Sequence, residues 1–405
     1  MPPTAAPGAT AGRLDPEILR LPFYEPHHLG LARRISRWCE ELKPAPDGED
    51  PRETGRRLLR ALGDAGLLAH LDPDAAEEVR RDGDFRGLCL VREALARTDD
   101  LADFAFSVQV LAALPILRYG TAEQRRRHLP GMAAGRTSGS FAVSEEQAGS
   151  DLAALALRAE RVEGGYLLDG AKTWVACGST ADLHCVLART GEGPGLLGLT
   201  AFLVPADLPG LHTEQVALTA PRSLATLSFD RCPVPESSVL GRPGGGAVIA
   251  LDTLARARMT VGAAALGFAR CARDAALTRA RSRPMQGGRL FDLDTVKAGF
   301  ADTEVKLNAA ALLVARAAWE ADRAAPGFAR HSSIAKLYAT EAAQQVVDAC
   351  VQVFGAAGLV SGSLPESLYR QIRSLRIYEG ASEVQRAIIA EVLAPAGPAH
   401  PREGR

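Results

Sequence analysis

The sequence predicts an α+β fold in three consecutive blocks, an N-terminal helical domain, a central all-β domain and a C-terminal helical bundle. Two observations predict it. Apolar residues recur at helical intervals in the first and last thirds of the chain, whereas between about 139 and 246 they fall in short β-prone runs separated by turn residues. Beyond residue 247 the helical patterns are long and rich in alanine, which suits close helix contacts in a bundle.

The first block runs from about Asp15 to Arg136. Leu58, Leu59, Leu62 and Leu67 mark one amphipathic segment, Leu88, Val91 and Leu95 the next, and Val108, Leu111 and Ala112 a third, with Gly63, Gly83, Gly87 and Gly120 as punctuation. In the second block, the runs 165–169, 184–187, 200–204 and 225–229 read as strands of a sandwich or barrel. The third block carries helical patterns from Leu251 to Arg281, Leu293 to Asp322 and Ser332 to Phe354. The expected boundaries are a disordered leader over 1–14, domains at 15–137, 138–246 and 247–394, and a flexible Pro- and Gly-rich tail over 395–405.

Composition excludes several classes. With 405 residues, 47% of them hydrophobic, the chain can bury large cores. Lys plus Arg (47) and Asp plus Glu (48) nearly cancel, so charge gives no reason to expect nucleic acid or an anionic membrane as partner. Seven scattered cysteines without a C-x-x-C pair argue against a disulfide framework and a zinc cluster, and fit reduced thiols in a cytoplasm. No apolar run reaches the roughly 20 residues of a membrane span, and the first twelve residues lack the pattern of a signal peptide. The eight histidines form no ligand-spaced cluster, so no metal is expected.

Near the end of the chain, Ile377-Tyr378-Glu379-Gly380-Ala381-Ser382-Glu383-Val384-Gln385-Arg386 places a carboxylate just before a helix-start signal. Ser382 and Gln385 have the spacing of a capping box, and Gly380 permits unusual dihedrals or close approach of a ligand. Glu379 is a candidate base, and a plain loop glutamate is the competing reading. Other candidates carry similar alternatives. The loop Phe141-Ala142-Val143-Ser144-Glu145-Glu146-Gln147-Ala148-Gly149-Ser150-Asp151 could offer backbone N–H groups and two hydroxyls to a ligand, or be an ordinary turn. Lys172-Thr173-Trp174-Val175-Ala176-Cys177-Gly178 holds an indole able to cover a flat ring, although a tryptophan in a β domain more often packs in the core. Arg258 and Arg283, read as the start and end of a long helix, could clamp phosphate or be solvated. Gln352-Val353-Phe354-Gly355-Ala356-Ala357-Gly358 could admit something bulky or cap a helix. The literal G-x-G-x-x-G at Gly193–Gly198 is a decoy for a dinucleotide site, because a strand pattern, Leu199 to Val204, follows it where a helix is required.

In this order, these segments resemble the acyl-CoA dehydrogenase family over nearly the whole chain, from about residue 15 to 393. The F-A-V-S-E-E-Q-A-G-S-D run is similar to the family's T-E-P-x-A-G-S-D loop, K-T-W-V-A-C-G to its K-x-W-I-T-N-G segment, and I-Y-E-G-A-S-E-V-Q-R to its I-Y-E-G-T-x-x-I-Q-R ending. The resemblance implies an N-terminal helical domain, a β domain and a C-terminal four-helix bundle, FAD as cofactor, and a homotetramer or dimer. It implies that Phe141, Val143, Ser144, Ser150, Trp174, Val175 and Ala176 line the flavin. By the same resemblance Arg283, Gln352, Gly355 and Ala356 would meet its adenine-diphosphate half across a subunit interface, and Ala381 and Glu383 would make further contacts. Ser150, Arg258, Tyr378 and Gly380 would border the substrate, with Phe104, Phe106, Ser107 and Gln109 around its far end.

The implied reaction is α,β-dehydrogenation of an acyl thioester on coenzyme A or an acyl carrier protein. Glu379 would take the α-proton, flavin N5 the β-hydride, and an electron-transfer flavoprotein or other acceptor would reoxidise the cofactor. The alternative base position of a minority of members, one residue before the arginine matching Arg258, is Ala257, which cannot ionise. Six positions depart from the pattern: Ala176 stands where Thr or Ser is usual, Gln286 where an aromatic is, Asp294 where Gln is, Ala381 where Thr is common, and Glu146 and Gln147 where Pro and a small residue are. A flavin monooxygenase or oxidase on the same fold, or a non-catalytic relative, is the rival; the oxygen-using members typically lack the glutamate.

Overall fold

A computed structural model of the chain describes residues 13–46, 48–71, 84–391 and 393. The expected leader and tail therefore lie almost wholly outside the described residues, as does Gly83. Among the described residues, six helices form the first block: α1 (Pro16–Leu19), α2 (Pro26–Glu41), α3 (Pro51–Asp64), α4 (Phe85–Thr98), α5 (Asp100–Tyr119) and α6 (Ala122–Ala133). Their starts follow capping chemistry. Asp15, Asp50, Asp84 and Asp99 each accept a backbone N–H of the first turn of their helix, and Thr121 with Gln124 makes a reciprocal capping box. Gly63 and Gly87 prove to be inside helices. A Cβ at Gly63 would lie 2.3 Å from the Ala134 backbone, so close chain approach, not helix termination, requires that glycine.

The middle block is one eight-stranded sheet. Its strands are β1 (Gly139–Ala142), β2 (Arg158–Val162), β3 (Gly165–Ala176), β4 (Leu183–Arg189), β5 (Leu199–Pro205), β6 (Leu211–Val216), β7 (Leu224–Pro235) and β8 (Val239–Leu240). The order is β6-β7-β3-β2-β4-β5-β8, with β1 parallel to β4. The sheet curls on itself: Tyr166 of β3 and Phe202 of β5 meet edge to face at 5.1 Å in a core shared with Phe229 of β7. β4 and β5 are buried on both faces. Val186, Phe202 and Val204 point into that β core, while Leu183, Cys185, Leu187, Ala201 and Leu203 join the large core of the helices, which is why these strands read as continuous apolar runs.

The last block opens with α7 (Gly246–Ser282), followed by a short hairpin of β9 (Pro284–Met285) and β10 (Gly288–Arg289). It continues with α8 (Asp294–Asp322), α9 (Phe328–Phe354), α10 (Leu364–Arg373) and α11 (Ser382–Glu391). Alanine makes the tight packing possible. Ala263, Ala264, Ala265, Ala310, Ala317, Ala335 and Ala339 of α7, α8 and α9 are all buried, and the three helices pack on one another. Arg258 lies well inside α7 and does not begin it, whereas Arg283 follows its last residue.

The expectation that no segment has the length and apolarity of a membrane span fails for α5, whose best 18-residue window has a mean hydropathy of 1.6. Its physical reason is burial: 78% of that window is inside the protein, where α5 packs on α3, α4, β1 and α7.

Two glycines in helices test this packing in opposite directions. A Cβ on Gly267 would lie 2.3 Å from Glu93 O, at the contact of α7 with α4, so Gly267→Val should lower stability by about 3 kcal/mol, the upper end of overpacking costs. Gly299 in α8 has nothing within 4 Å of that position, so Gly299→Ala should raise stability by roughly 0.5–1 kcal/mol. Thermal or urea unfolding of the two variants reads both outcomes.

Candidate active site

Glu379 sits in the short link between the turn Ser374–Arg376 and α11, on backbone with φ +55°, and Gly380 follows at φ +91°. The glycine tolerates this left-handed region, but for the glutamate it costs roughly 1–2 kcal/mol. Side chains from three helices hold the carbonyls of the turn. Lys336 of α9 donates to Tyr378 O at 2.6 Å and Gly380 O at 2.5 Å. Gln385 of α11 donates to Gly380 O at 2.8 Å and Glu379 O at 3.3 Å, and Arg258 of α7 to Glu379 O at 3.4 Å. The capping box expected from Ser382 and Gln385 does not form. Ser382 is the first residue of α11 and donates its hydroxyl to Glu341 Oε1, because Gln385 is taken up by the turn.

The residue as a whole is partly exposed, yet Glu379 Oε2 is buried without a hydrogen-bond partner. Burial raises the Glu379 pKa above the ordinary glutamate range, opposed by the charges of Arg92, Lys336 and Arg258. Burial also pushes the Lys336 ammonium down to about 8 and the Tyr378 phenol up to about 12. Two buried ion pairs act on the same turn. Arg92 of α4 binds Asp103 of α5 through two bonds of 2.9 Å and also reaches Thr260 Oγ1 at 3.0 Å. Arg222 pairs with Asp100, donates to Ser374 Oγ at 2.9 Å and lies 5.6 Å over the Phe104 ring. Motif reading missed Arg92, Asp103, Arg222 and Lys336. For Arg92, Asp103 and Lys336 the one signal was charge inside otherwise apolar helical stretches, as in Leu90-Val91-Arg92 and Ile334-Ala335-Lys336-Leu337; Arg222, in the link before β7, carried none.

On the β side, the chain leaving β1 carries Val143 and Ser144 alongside β3, with Thr173 N donating to Ser144 O at 2.9 Å. Lys172, fully buried, donates to Val143 O at 2.8 Å and Glu145 Oε1 at 2.7 Å. Glu145 also accepts from the backbone N–H of Ala156 and Leu157, so it is a structural anchor of the loop. Two residues on, Trp174 has φ +58° at a register shift between β3 and β7 and is 54% exposed. The bulge thus turns the indole out of the core. Val175 packs inside the β core, so its main chain alone is available to a ligand, and Ala176 ends the strand half-buried. Phe141 is half-buried in β1 and Ser150 is exposed in the loop.

Arg283 and the turn after α9 come together: a Cβ on Gly355, at φ +62°, would lie 3.7 Å from Arg283 Nη1. Gln352 and Ala356 beside it are exposed. Gln286 forms the left-handed corner of the β9–β10 hairpin, and Asp294 opens α8 in full solvent. Ala381 is half-buried just before α11, and Glu383 is exposed and faces Arg386 at 3.4 Å. Ala257 is buried in α7.

The four residues expected around the far end of a substrate divide. Phe104 and Gln109 line a cleft of about 430 Å³ with Val108, Cys177, Thr180 and Ser223, but Phe106 is buried in the core and the Ser107 hydroxyl donates to Phe104 O. Gln109 is itself committed, donating to Met132 O and Thr137 O and accepting from Gly139 N. Contrary to the histidine spacing in the sequence, His27, His28 and Asp84 gather with ligand atoms within 4.8 Å. His28 Nδ1 accepts from Glu25 N, so Nε2 carries the proton it shares with Asp84 at 3.0 Å and is not free to ligate.

Comparison with known proteins places this geometry. Family models match along the chain: the acyl-CoA dehydrogenase N-terminal domain over 26–136, the middle domain over 140–232 and the C-terminal domain over 244–394. A protein of Mycobacterium leprae described as a "Probable acyl-CoA dehydrogenase" is 32% identical over 377 residues, covering 92% of this chain and 96% of its own. The butyryl-CoA dehydrogenase of Megasphaera elsdenii superposes with a TM-score of 0.85 at 27% identity, covering 91% of this chain and 98% of its own. A glutaryl-CoA dehydrogenase of Mycobacterium smegmatis, solved in complex with FADH2, gives a TM-score of 0.81 at 25% identity, with 92% and 95% covered. With three family domains matched in order over one three-block fold, the chain belongs to the acyl-CoA dehydrogenases, oxidoreductases acting on CH–CH groups.

Proposed function

We propose that the protein carries FAD and dehydrogenates an acyl thioester, on coenzyme A or an acyl carrier protein, with Glu379 removing the α-proton. The observation that carries this reading is the Glu379 carboxylate: its Oε2 is buried and unpartnered, and its pKa is raised by that burial, as a base awaiting a C–H proton requires. Ala257, buried in α7 at the other base position, offers no rival group.

The residues present fit a flavin. Trp174 exposes a flat indole on strained backbone, beside the loop bearing Ser144 and Ser150. Arg283 next to the Gly355 turn joins a cation to main chain in the left-handed region that glycine tolerates, which suits a diphosphate. Trp174, Phe141, Val143, Ser144, Ser150 and the main chain of Val175 and Ala176 would hold the ring. Arg283, Gln352, Gly355 and Ala356 would hold the adenine-diphosphate half, and Ala381 and Glu383 would contribute from the start of α11. When bound, FAD supplies the acceptor for the hydride lost from the β-carbon.

The chain's own residues do the rest. Tyr378 and Gly380 flank the base and border the thioester, and the backbone N–H of Glu379 is a donor for its carbonyl. Arg92, Arg258 and Lys336 surround the base with positive charge, which also stabilises negative charge developing on the substrate. An electron-transfer flavoprotein or another acceptor completes the cycle. A homo-oligomer is part of this reading, supported by exposed Leu359, Val360, Leu364 and Tyr369 next to the turn of Gln352 to Ala356. Seven cysteines without disulfides support a reducing compartment such as the cytoplasm.

Anaerobic bleaching of reconstituted flavin by a panel of acyl-CoA and acyl-carrier thioesters tests the reading and identifies the substrate class. Glu379→Gln should slow bleaching about 10²–10⁴-fold, the usual contribution of a general base; unchanged bleaching would overturn the assignment. Because the base must be ionised and its pKa is raised, the wild-type rate should climb with pH through a limb lying above the ordinary glutamate range. Trp174→Ala should weaken FAD binding by roughly 0.5–1.5 kcal/mol while leaving the melting temperature of the apoprotein nearly unchanged, since the indole is half in solvent. Flavin titration and calorimetry separate the two effects.

A further inference from the structure

Of the side chains that grip the Glu379 turn, Lys336 reaches the carbonyls on both sides of the base, Tyr378 O and Gly380 O. It is 1% exposed and stands in the N-terminal third of α9, among Ala335, Ala339 and Ala343 of the helical core. An ammonium in such a place has lost its water, and burial without compensation would be costly. The compensation lies wholly in the turn: two carbonyl oxygens at 2.5–2.6 Å, and the carboxylate of Glu379 as the opposing charge. Gln385 shares Gly380 O at a longer 2.8 Å, and the carbonyl of Glu379 itself is reached only at 3.3 Å by Gln385 and 3.4 Å by Arg258.

Resting on the reading of Glu379 as base, we propose that Lys336 is a positioning residue for the reaction. Its ammonium bridges the carbonyls of Tyr378 and Gly380, pins the left-handed conformation of Glu379, and so aims the carboxylate. A carbonyl bridge of this kind acts on the two peptide groups that fix where the Glu379 side chain leaves the backbone. Without it the residue relaxes towards ordinary dihedrals, and relaxation moves the carboxylate. The same ammonium contributes to the field at the base. The groups facing Glu379 are Arg92 from α4, Asp103 from α5, Arg258 from α7 and Lys336 from α9, with Tyr378 adjacent in the turn. Removing Lys336 subtracts one cation from this set, so Glu379 becomes harder to ionise.

The test uses full-length, FAD-reconstituted Lys336→Met and Lys336→Gln, with the panel thioester that bleaches the wild-type flavin fastest. The glutamine variant keeps an uncharged donor and serves if the methionine variant fails to fold. The expected result is a limiting rate about 100-fold lower, the cost of misplacing a catalytic group by about 1 Å. The thioester concentration for half-maximal rate should change little, and the acid limb of the pH profile should move to higher pH. A second readout is independent of turnover: melting temperature against pH for Glu379→Gln in the wild-type and Lys336→Met (or Lys336→Gln) backgrounds. A carboxylate with a raised pKa destabilises the fold as pH rises past its unfolded value, so the glutamine substitution should raise the melting temperature at neutral pH. It should raise it more where Lys336 is missing. Unchanged rates and an unmoved acid limb at full flavin occupancy, or equal gains in both backgrounds, overturn the proposal. If Glu379→Gln alone leaves bleaching intact, the base assignment fails, and the melting cycle still decides the Lys336–Glu379 coupling.

Discussion

A carboxylate that is to take a proton from carbon has to be kept from taking its partners from the protein. Glu379, the proposed base, meets that constraint by standing on left-handed backbone with one oxygen buried and unpaired, a state that would collapse if the turn could relax or the carboxylate could find a donor. The surrounding helices are arranged to prevent both. Arg92 is occupied by Asp103 and Arg222 by Asp100, so neither guanidinium closes on the base. Lys336 and Arg258 direct their donors to main-chain carbonyls of the turn. The cations set the electrostatics while their hydrogen bonds are spent elsewhere.

The β domain solves a related problem in the same way. Lys172 is buried beneath the loop that leaves β1 and fastens it through the Val143 carbonyl and the Glu145 carboxylate. Both loops that border the site are thus tied to regular structure by a buried lysine bound to backbone oxygen, Lys172 on a strand and Lys336 on a helix. Loops that carry function need rigid support, and an ammonium with three donors reaches carbonyls that lie at different angles. The strained residues beside these anchors, Trp174 and Glu379, are the two on which the proposed chemistry depends.

The three-block architecture was legible in the sequence because it rests on hydrophobic period, which survives without knowledge of contacts. The helical patterns of α7, α8 and α9 and the apolar runs of β4 and β5 each match an element in the structure. The strand after Gly193–Gly198 was legible too, since Leu199 to Val204 is β5. What could not be read was who holds whom. Lys336 and Glu379 are 43 positions apart, and Arg92 reaches Thr260 across 168, so no local pattern joins them. Ser382 misled for the opposite reason: its spacing to Gln385 is right for a cap, but Glu341 and the Gly380 carbonyl compete for the two side chains and win. Phe106 likewise was named from its place in the helical domain alone, and only the packing shows that its side chain lies in the core.

That helix, α5, has a consequence for how the protein is made. It has the length and apolarity of a segment that crosses a bilayer, and it is buried by neighbours that include β1 and α7. Synthesis runs from the N-terminus, and β1 and α7 follow α5 in the chain, so the part of its cover that they supply is made after the helix itself. α3 and α4, which precede α5 and pack on it, are its first cover during translation. Until β1 and α7 follow, the docking of α3 and α4 sets how much of this apolar helix the growing chain leaves exposed.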